Sequence, residues 1–417
     1  MSYRITKIKA RQILDSRGNP TVEATVYAGD DFAVASVPSG ASTGSHEALE
    51  LRDGKNSYGG LSVTQAVKNI ETVINRLLKG MDVREQEQID EAMIQKDGTY
   101  NKSKLGANAI LAVSLAVARL AAQQSKLPLY RYLHDLSGLT NKMAMPVPLF
   151  NVLNGGLHAD SGLDIQEFFL IAKAKKFEQR IEHAWLVIKK LKQLLSAKKY
   201  VTSVGDEGGF APRLGSNRKA LLVLKQSIEQ VGLKFGKDVA LGMDAAATEF
   251  FDMQTQTYRL TADKKNYKPL SVYKLYQKWT EEYSLEVIED GCAEDDMPGW
   301  QKLTQVLGDK VTLVGDDLFV TQHQRLQTGI ISGIANAVLI KLNQVGTVTE
   351  TLATISLAKK YNYKVIVSHR SGETMDDFIA DLSVAVSADY IKAGSLARGE
   401  RLAKYNRLLA IAAELKQ

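Results

Sequence analysis

The sequence predicts an α/β protein in which a smaller α+β domain precedes a closed (β/α)8 barrel. The chain has 417 residues, enough for one large barrel and a smaller partner domain. Strand signals followed by helical ones fill residues 1–140, whereas short β-branched runs alternate with helical patterns through residues 141–417. The Pro146-Val147-Pro148 segment lies close to the change between the two patterns, so we expect the barrel domain to begin near residue 141.

The composition is that of an ordinary globular protein, with 45% hydrophobic and 24% charged residues. The 53 Lys and Arg against 47 Asp and Glu give a net charge of +6, too mild an excess to indicate a nucleic-acid partner by itself. The single cysteine, Cys292, excludes an internal disulfide and favours a reducing compartment. Residues 1–20 lack the apolar core of a signal peptide, and the longest apolar stretch, residues 109–118, is too short to span a membrane. We therefore expect a cytoplasmic protein.

The first domain is predicted to open with a strand and to continue as helices. Residues 21–27 alternate as a half-buried strand does, and residues 16–20 before them combine Gly, Asn and Pro in a way typical of a turn. Helical periodicity extends from about residue 62 to residue 133. The Ala-rich run that begins at Leu105 predicts a buried helix with small contact residues.

Six β-branched runs in the second domain each stop at one or two charged residues. After a first gap of 45 residues, successive ends lie 23 to 28 residues apart, the length of one strand plus one helix. Because the carboxyl ends of barrel strands meet at one mouth, six charged ends in register predict a catalytic mouth rather than ordinary strand-to-loop steps. These residues are Asp244, Glu289, Asp316, Lys341, His369 with Arg370, and Lys392.

Three of these ends carry carboxylates, namely Asp244, Glu289 and Asp316. Ligation by oxygen alone selects a hard cation, Mg²⁺ first and Mn²⁺ as a substitute, rather than zinc. The alternative is that the three acids are helix caps or members of surface ion pairs. That alternative fits less well with strands that should be buried, where unpaired carboxylates are costly.

The strand ends that follow carry cations. Lys341 lies in an apolar run, and beside a divalent metal and other cations we expect its pKa to fall toward the range of a general base. Arg370 and Ser371 offer a guanidinium fork and a hydroxyl to a phosphate or carboxylate. The combination favours proton abstraction next to a carboxylate, with the metal absorbing the enolate charge.

Loss of a hydroxyl group would require an acid on the opposite side, and Glu167 and Glu207 are the candidates. Two carboxylates in one cleft push their pKa values apart, which leaves one of them protonated. The glycine-flanked Glu207 is equally typical of a turn residue, and spacing alone leaves both alternatives open.

These residues belong to motifs that together resemble the enolase family from about residue 5 to residue 415. One glycine-rich motif would be weak evidence, but the joint occurrence of several in this order is specific. The motifs are Asp15-Ser16-Arg17-Gly18-Asn19-Pro20, Ser39-Gly40-Ala41-Ser42-Thr43-Gly44, Asn154-Gly155-Gly156-Leu157-His158, Gly315-Asp316-Asp317, Lys341-Leu342-Asn343-Gln344 and Ser368-His369-Arg370-Ser371-Gly372-Glu373.

The resemblance implies a reversible dehydration of 2-phosphoglycerate to phosphoenolpyruvate in glycolysis and gluconeogenesis. By likeness, Lys341 takes the proton from C2, and Glu207, partnered by Glu167, protonates the departing C3 hydroxide. The resemblance also implies two Mg²⁺ ions and a mobile loop at residues 39–44. Asp244, Glu289 and Asp316 would hold the first ion, and Ser42 would help the substrate phosphate to hold the second. The implied substrate-binding residues are His158, Gln166, Glu167, His369, Arg370, Ser371 and Lys392.

Two alternatives to this assignment stay open. The first is another member of the wider superfamily, such as an acid-sugar dehydratase or a cycloisomerase. Ser42, the Glu167 and Glu207 pair, and Lys341 favour the enolase pattern over it. The second is a paralogue that mainly binds surfaces or RNA, although every residue expected to carry chemistry is present.

The resemblance also implies a homodimer or a higher homo-oligomer. A place in an RNA-degradation complex is not predicted, and a secondary cell-surface or secreted pool stays open. The sequence departs from the family pattern at Ala393-Gly394-Ser395-Leu396, after Lys392, and in its basic net charge. Its lysine clusters, such as Lys189-Lys190-Lys192, are most simply solvated faces, and binding of anionic partners there is a hypothesis.

Overall fold

The computed structural model describes residues 3–40, 44, 46–54 and 57–416. The chain begins with an antiparallel three-stranded sheet of β1 (Ile5–Leu14), β2 (Pro20–Ala28) and β3 (Asp31–Ser36). The tight turn between β1 and β2 places Gly18 at φ 77°, a left-handed conformation that glycine adopts without strain. The predicted strand at residues 21–27 lies within β2, the central strand of this sheet.

Helices cover one side of the sheet. They are α1 (Thr64–Asn69), α2 (Asn75–Leu78), α3 (Gln86–Asp97), α4 (Ala107–Gln124) and α5 (Leu129–Ser137). A π-helical turn, Ile70–Ile74, joins α1 to α2. The Ala-rich α4 packs across β2 and β3, and nearly all of its residues are buried, as the sequence predicts. Small side chains allow this close approach because they leave little bulk between the helix and sheet backbones.

The strands of the second part of the chain begin after α5. First come β4 (Val147–Asn154), β5 (Glu167–Ala172) and β6 (Val239–Asp244). A small antiparallel sheet of β7 (Phe251–Asp252), β8 (Thr257–Leu260) and β9 (Lys265–Tyr267) follows and accounts for the long gap after Asp244. The remaining strands are β10 (Leu285–Glu289), β11 (Thr312–Gly315), β12 (Ala337–Ile340), β13 (Lys364–Ser368) and β14 (Tyr390–Lys392).

Eight of these strands, β4 to β6 and β10 to β14, close into a barrel, as predicted. Helices surround it: α6 (Phe177–Ala197), α7 (Asn217–Gln230), α8 (Tyr273–Tyr283), α9 (Met297–Leu307), α10 (His323–Ser332), the short α11 (Leu342–Val345), α12 (Val348–Lys360), α13 (Phe378–Ala385) and α14 (Gly399–Leu415). Apolar side chains, including Leu149, Phe169 and Ile366, fill the barrel interior. A second, larger core lies between the strands and the helices.

One strand departs from a strict βα repeat: β5 runs antiparallel to both of its neighbours, β4 and β6. The connection between β4 and β5 contains only a short turn of helix, Gly156–His158, and a parallel crossover would need a full helix there. The reversal brings the first residue of β5, Glu167, directly opposite Asp244, the last residue of β6. A residue at the start of a strand therefore joins the mouth formed by the other strand ends.

The first part of the chain lies against the loop that follows β13 and against helices α11 to α13. Arg119 of α4 contacts Asp376 and Asp377 at 2.8 and 2.9 Å, and Ser39 and Gly372 exchange two backbone hydrogen bonds. We propose the boundary at residues 140 and 141, in the segment between α5 and β4. Ser42 and its neighbours at 41 and 43 lie outside the described residues, so the mobility of the loop at 39–44 stays a prediction. Within the described chain, no helix is both long enough and apolar enough to traverse a membrane.

Candidate active site

The six predicted strand ends meet at one end of the barrel and surround a single cavity. Of the thirteen residues singled out from the sequence, eleven line this cavity. Glu289 lies directly behind the cavity, where its carboxylate accepts a hydrogen bond from Lys392 Nζ. Ser42 is not among the described residues. The eleven are His158, Gln166, Glu167, Glu207, Asp244, Asp316, Lys341, His369, Arg370, Ser371 and Lys392.

Lys392, at the end of β14, is surrounded by carboxylates. Its Nζ lies 3.0 Å from Glu167 Oε1, 3.1 Å from Asp244 Oδ2, and 2.9 and 3.0 Å from the two oxygens of Glu289. Burial lowers the pKa of Lys392, but the carboxylates of Asp244, Glu167 and Glu289 outweigh it and hold the pKa well above its usual value. Lys392 is therefore a permanent cation that neutralises part of the acidic cluster.

The acidic cluster nevertheless holds more negative charge than its lysine can neutralise. Burial and the neighbouring Asp244 raise the pKa of Glu289 well above its usual range. The adjacent Asp290, which accepts hydrogen bonds from the backbone N–H groups of Asp316 and Asp317 at 2.9 Å, also has a raised pKa because of burial and the Asp317 charge. An all-oxygen donor set that crowds buried carboxylates in this way fits a hard divalent cation.

Two sets of acids are candidate ligands of such a cation. The predicted set consists of Asp244 and Glu289, the last residues of β6 and β10, and Asp316, which directly follows β11; as a metal site it stays a prediction. A second set, Asp290, Asp316 and Asp317, has ligand atoms within 4.8 Å of one another. Asp316 belongs to both. Asp290 and Asp317 directly follow the predicted ligands Glu289 and Asp316 in the sequence. Their position next to these ligands could have identified them as further candidate ligands.

Lys341, the first residue after β12, donates a short hydrogen bond to Asp316 Oδ2. Burial lowers the pKa of Lys341, but Asp316 outweighs burial and the nearby Arg370 and Lys392, so the pKa lies above its usual value. The expectation of a lowered pKa applies to a lysine beside a bound divalent cation, and it stays a prediction for that state. Without the cation, Asp316 lies against the amine and raises its pKa.

Glu167 and Glu207 lie on the other wall of the cavity and share one amide. The Nδ2 of Asn151, in β4, donates to both carboxylates, at 2.7 Å to Glu167 and 3.0 Å to Glu207. Burial and the negative charge of Glu207 raise the pKa of Glu167 well above its usual value. Burial also acts on Glu207, but His369, His158 and Arg401 outweigh it and lower the pKa of Glu207 well below its usual value. The two pKa values are thus pushed apart, with that of Glu167 above and that of Glu207 below the usual range.

His369 separates the Glu207 carboxylate from a buried arginine. Burial lowers the pKa of His369 to about 4, although Glu207 opposes this. Arg401, on α14, donates to His369 Nδ1 at 2.6 Å, so the ring proton of the neutral imidazole lies on Nε2, 3.3 Å from Glu207 Oε2. Arg401 also donates to the carbonyls of Arg370 and Ser371. No strand-end pattern marks Arg401, and sequence reasoning missed it.

Arg370 pairs with a residue from the first part of the chain. Its Nη1 and Nη2 lie 2.8 and 3.1 Å from the two carboxylate oxygens of Glu47, and both side chains are buried. Asn343 accepts a further hydrogen bond from Nη1 at 2.9 Å. Glu47 also accepts from the backbone N–H of Gly44 and from Gln344, which in turn donates to Asp316. Sequence reasoning missed Glu47 because 323 residues separate it from Arg370.

Both parts of the chain match known family models. Residues 5–133 match the enolase N-terminal domain, and residues 142–417 match the enolase C-terminal TIM barrel domain. The chain belongs to the enolase family. Membership supports a lyase of the enolase superfamily that performs an enolase-type dehydration, and the acidic groups at the barrel mouth agree with the divalent metal typical of that family.

Proposed function

We propose that this enolase-family chain catalyses the reversible dehydration of 2-phosphoglycerate to phosphoenolpyruvate. The main support is that a lysine, a two-glutamate pair and a crowded set of carboxylates all border one cavity. Proton abstraction beside a carboxylate followed by loss of a hydroxyl needs these three parts: a base, an acid, and positive charge to offset the charge that develops on the substrate.

Lys341 is the proposed base that removes the C2 proton. Its Nζ is held by Asp316, and its side chain is largely buried, so the amine is held in one position. Asp244, Glu289 and Asp316 would hold the first Mg²⁺, and Ser42 would contribute to a second. When bound, the cations would supply the charge that stabilises the enolate and would compete with Lys341 for Asp316. That competition would lower the pKa of the amine.

Glu167 and Glu207 together are the proposed acid that protonates the departing C3 hydroxide. Asn151 bridges the two carboxylates, and the raised pKa of Glu167 favours the protonated form of this residue before the substrate binds. Because the two carboxyl groups interact strongly, they titrate as a pair. Negative charge that develops on the departing hydroxide would favour a proton on Glu207, the group proposed to donate it. His158, whose Nδ1 lies 3.4 Å from Glu167 and 3.7 Å from Glu207, closes this side of the cavity.

The substrate phosphate is proposed to bind Arg370 and Ser371. A guanidinium with two parallel donors matches phosphate as well as carboxylate, and Glu47 already occupies this fork in the way that an anionic ligand would. His158, Gln166, His369 and Lys392 are the remaining residues proposed to orient the substrate. Gln166 donates to Asp244 at 3.2 Å, which ties substrate positioning to a proposed metal ligand.

Family membership also supports the wider proposals. We propose that the protein acts in glycolysis and gluconeogenesis in the cytoplasm and that it forms a homodimer or a higher homo-oligomer.

The decisive experiment follows phosphoenolpyruvate formation by its ultraviolet absorbance, with Mg²⁺, with Mn²⁺ and with a chelator. We expect turnover with either metal and none with the chelator. A wild-type chain that stays silent on 2-phosphoglycerate with metal present, yet dehydrates a sugar acid, would overturn the proposal in favour of another superfamily activity.

Substitution of Lys341 tests the base. We expect Lys341→Ala to lose about 10²–10⁴-fold in kcat, the usual contribution of a positioned base, and to lose C2 proton exchange with solvent to the same extent. Lys310→Ala, at an exposed lysine, is the matched control and should leave both rates unchanged. Near-full turnover by Lys341→Ala would remove this residue from the base role.

Substitution of Glu207 tests the acid. We expect Glu207→Gln to keep C2 proton exchange while net dehydration falls by about 10²-fold or more, because only the second step needs a proton donor. Isotope exchange measured by NMR separates the two steps. Equal loss of exchange and dehydration would mean that Glu207 is not the acid.

A further inference from the structure

The positive charge of the chain is concentrated on one segment of the barrel wall. Residues 173–237 contain 15 Lys and Arg against 5 Asp and Glu, whereas the other 352 residues contain 38 against 42. The segment therefore carries +10 and the rest of the chain −4. It comprises α6, α7 and the loops that flank them. The net positive charge of the protein therefore comes from this one segment.

The two helices present these charges to solvent side by side. α6 and α7 pack against each other, and their apolar sides are buried, with Val187 and Leu191 from α6 and Leu221 and Leu224 from α7. Residues 185–199 and 217–225 contain eight Lys and Arg and no Asp or Glu. We name the exposed side of these two stretches the basic face. Seven of its eight cations are lysines.

Most charges of the basic face have no counter-ion among the residues that the structure describes. Across the described chain, Arg218 alone among the eight lies within 4.0 Å of a carboxylate, with Glu282 at 3.4 Å. Exposed lysines such as Lys189, Lys192 and Lys199 repel one another, and a ligand with regularly repeated negative charge would relieve that repulsion.

An exposed aromatic ring lies among the lysines. Trp185 is 50% exposed, and Lys189 Nζ, one turn further along α6, lies 5.5 Å from its ring centroid. A solvent-exposed ring next to a lysine, with further lysines along the same helix, combines base stacking with phosphate attraction, the two interactions that bind single-stranded nucleic acid. Insertion into a lipid surface would need an apolar helix face, and the apolar sides of α6 and α7 are already buried against the barrel, so a lipid could be held only by charge.

We propose that the basic face binds single-stranded nucleic acid through its phosphate backbone, with Trp185 as a stacking platform. Lysines act as point charges rather than as bidentate readers of base edges, so this binding has no strong sequence preference. α6 is about 30 Å long, so the lysines can follow several successive phosphates. This surface lies on the outer wall of the barrel and involves none of the residues assigned to the dehydration reaction.

Fluorescence anisotropy with labelled oligo(dT) and oligo(rU) of about 20 nucleotides tests the proposal. We expect saturable binding at about 50 mM salt and a much lower affinity when the salt concentration is raised to about 200 mM. In the triple variant Lys189→Gln/Lys192→Gln/Lys199→Gln, affinity should fall about tenfold or more, and the slope of log K against log salt should fall by about 2, since each phosphate contact contributes about 0.7. Trp185→Ala should weaken binding about tenfold, and Trp185→Tyr should restore most of it.

The control variant Lys79→Gln/Lys96→Gln/Lys310→Gln removes the same charge from exposed lysines elsewhere. It should keep the affinity and the salt slope of the wild type, and both triple variants should keep the dehydration rate. Equal loss of binding in the two triple variants would overturn the proposal, because net charge alone would then explain it. Absence of binding at the lower salt, or tighter binding to phosphatidylserine vesicles than to either oligonucleotide, would overturn it as well.

Discussion

At the scale of single residues, the site depends on side chains that neutralise one another across large sequence separations. Arg370 is buried and paired with Glu47, whereas Lys392 is shared among three carboxylates. The charged strand ends could be predicted from the sequence, because each follows a β-branched run. Their partners Glu47, Asn151 and Arg401 were not, since no periodicity relates a residue to one that only the fold brings near.

The pairing of Glu47 with Arg370 leads to a prediction about stability. Glu47→Gln should lower the free energy of unfolding by about 3 kcal/mol, because it leaves a buried guanidinium without its counter-ion. Inorganic phosphate, which can occupy the same fork, should restore more stability to the variant than it adds to the wild type. Denaturant unfolding with and without phosphate measures both effects.

The double variant Glu47→Gln/Arg370→Gln provides the control for this pair. Removing both partners should cost less than the sum of the two single substitutions. Strictly additive losses, together with no extra effect of phosphate, would contradict the assigned pairing.

At the scale of elements, the sequence predicted the strands that end in charge but not the reversal of β5. Strand direction was not visible, because a short buried run reads the same for either direction. The reversal decides the role of Glu167, since only an antiparallel β5 brings its first residue to the carboxyl ends of the other strands. The loop that carries Glu207 packs closely beside β4, and Gly209 in this loop lies against Asn151 and Asn154.

This close packing predicts a specific effect of a methyl group at Gly209. A Cβ there would overlap the side-chain oxygen of Asn154 and would lie 2.8 Å from that of Asn151. Gly209→Ala should displace Asn151 from its bridge between Glu167 and Glu207 and lower kcat by about 10²-fold, the cost of a misplacement of about 1 Å. Steady-state kinetics with circular dichroism would separate this effect from unfolding.

Gly399→Ala is the matched substitution. A Cβ at Gly399 meets only Met375, at 3.8 Å, and alanine is favoured over glycine in the helix that begins there. We expect unchanged kcat and equal or higher stability. Similar kinetic losses in the two variants would show that the contact between Gly209 and Asn151 does not position the acid pair.

At the scale of the whole molecule, two parts of the chain complete one site. Backbone hydrogen bonds between Ser39 and Gly372 hold the loop that follows β3 beside Arg370 and Ser371. Arg119 and Lys102 add ion pairs with the barrel at 2.8 Å. Burial of ionisable groups at the site makes stability depend on pH.

The lowered pKa of His369 determines how stability changes with pH. Its pKa is about 4 in the folded chain and about 6.5 when exposed, so between these pH values the histidine is protonated in the unfolded chain but neutral in the folded chain. The free energy of unfolding should therefore decrease as the pH falls from about 6.5 to about 4, by on the order of 3 kcal/mol in total.

Urea unfolding across this pH range measures the effect. His369→Gln should flatten the fall relative to the wild type, whereas His323→Gln, at an exposed histidine, should leave it unchanged. A wild-type curve parallel to that of His369→Gln through the whole window would contradict a buried, neutral His369.

By itself, the sequence determined the closed barrel, the smaller domain before it and the charged residues at its mouth, because these follow from local patterns of β-branching, helical period and spacing. Only the tertiary structure decided which of these charges neutralise one another: Asp316 raises the pKa of Lys341, and the pKa of Glu167 is raised whereas that of Glu207 is lowered. The physical reason is that a pKa depends on burial and on distances of a few ångströms between residues far apart in the chain, and folding sets those distances.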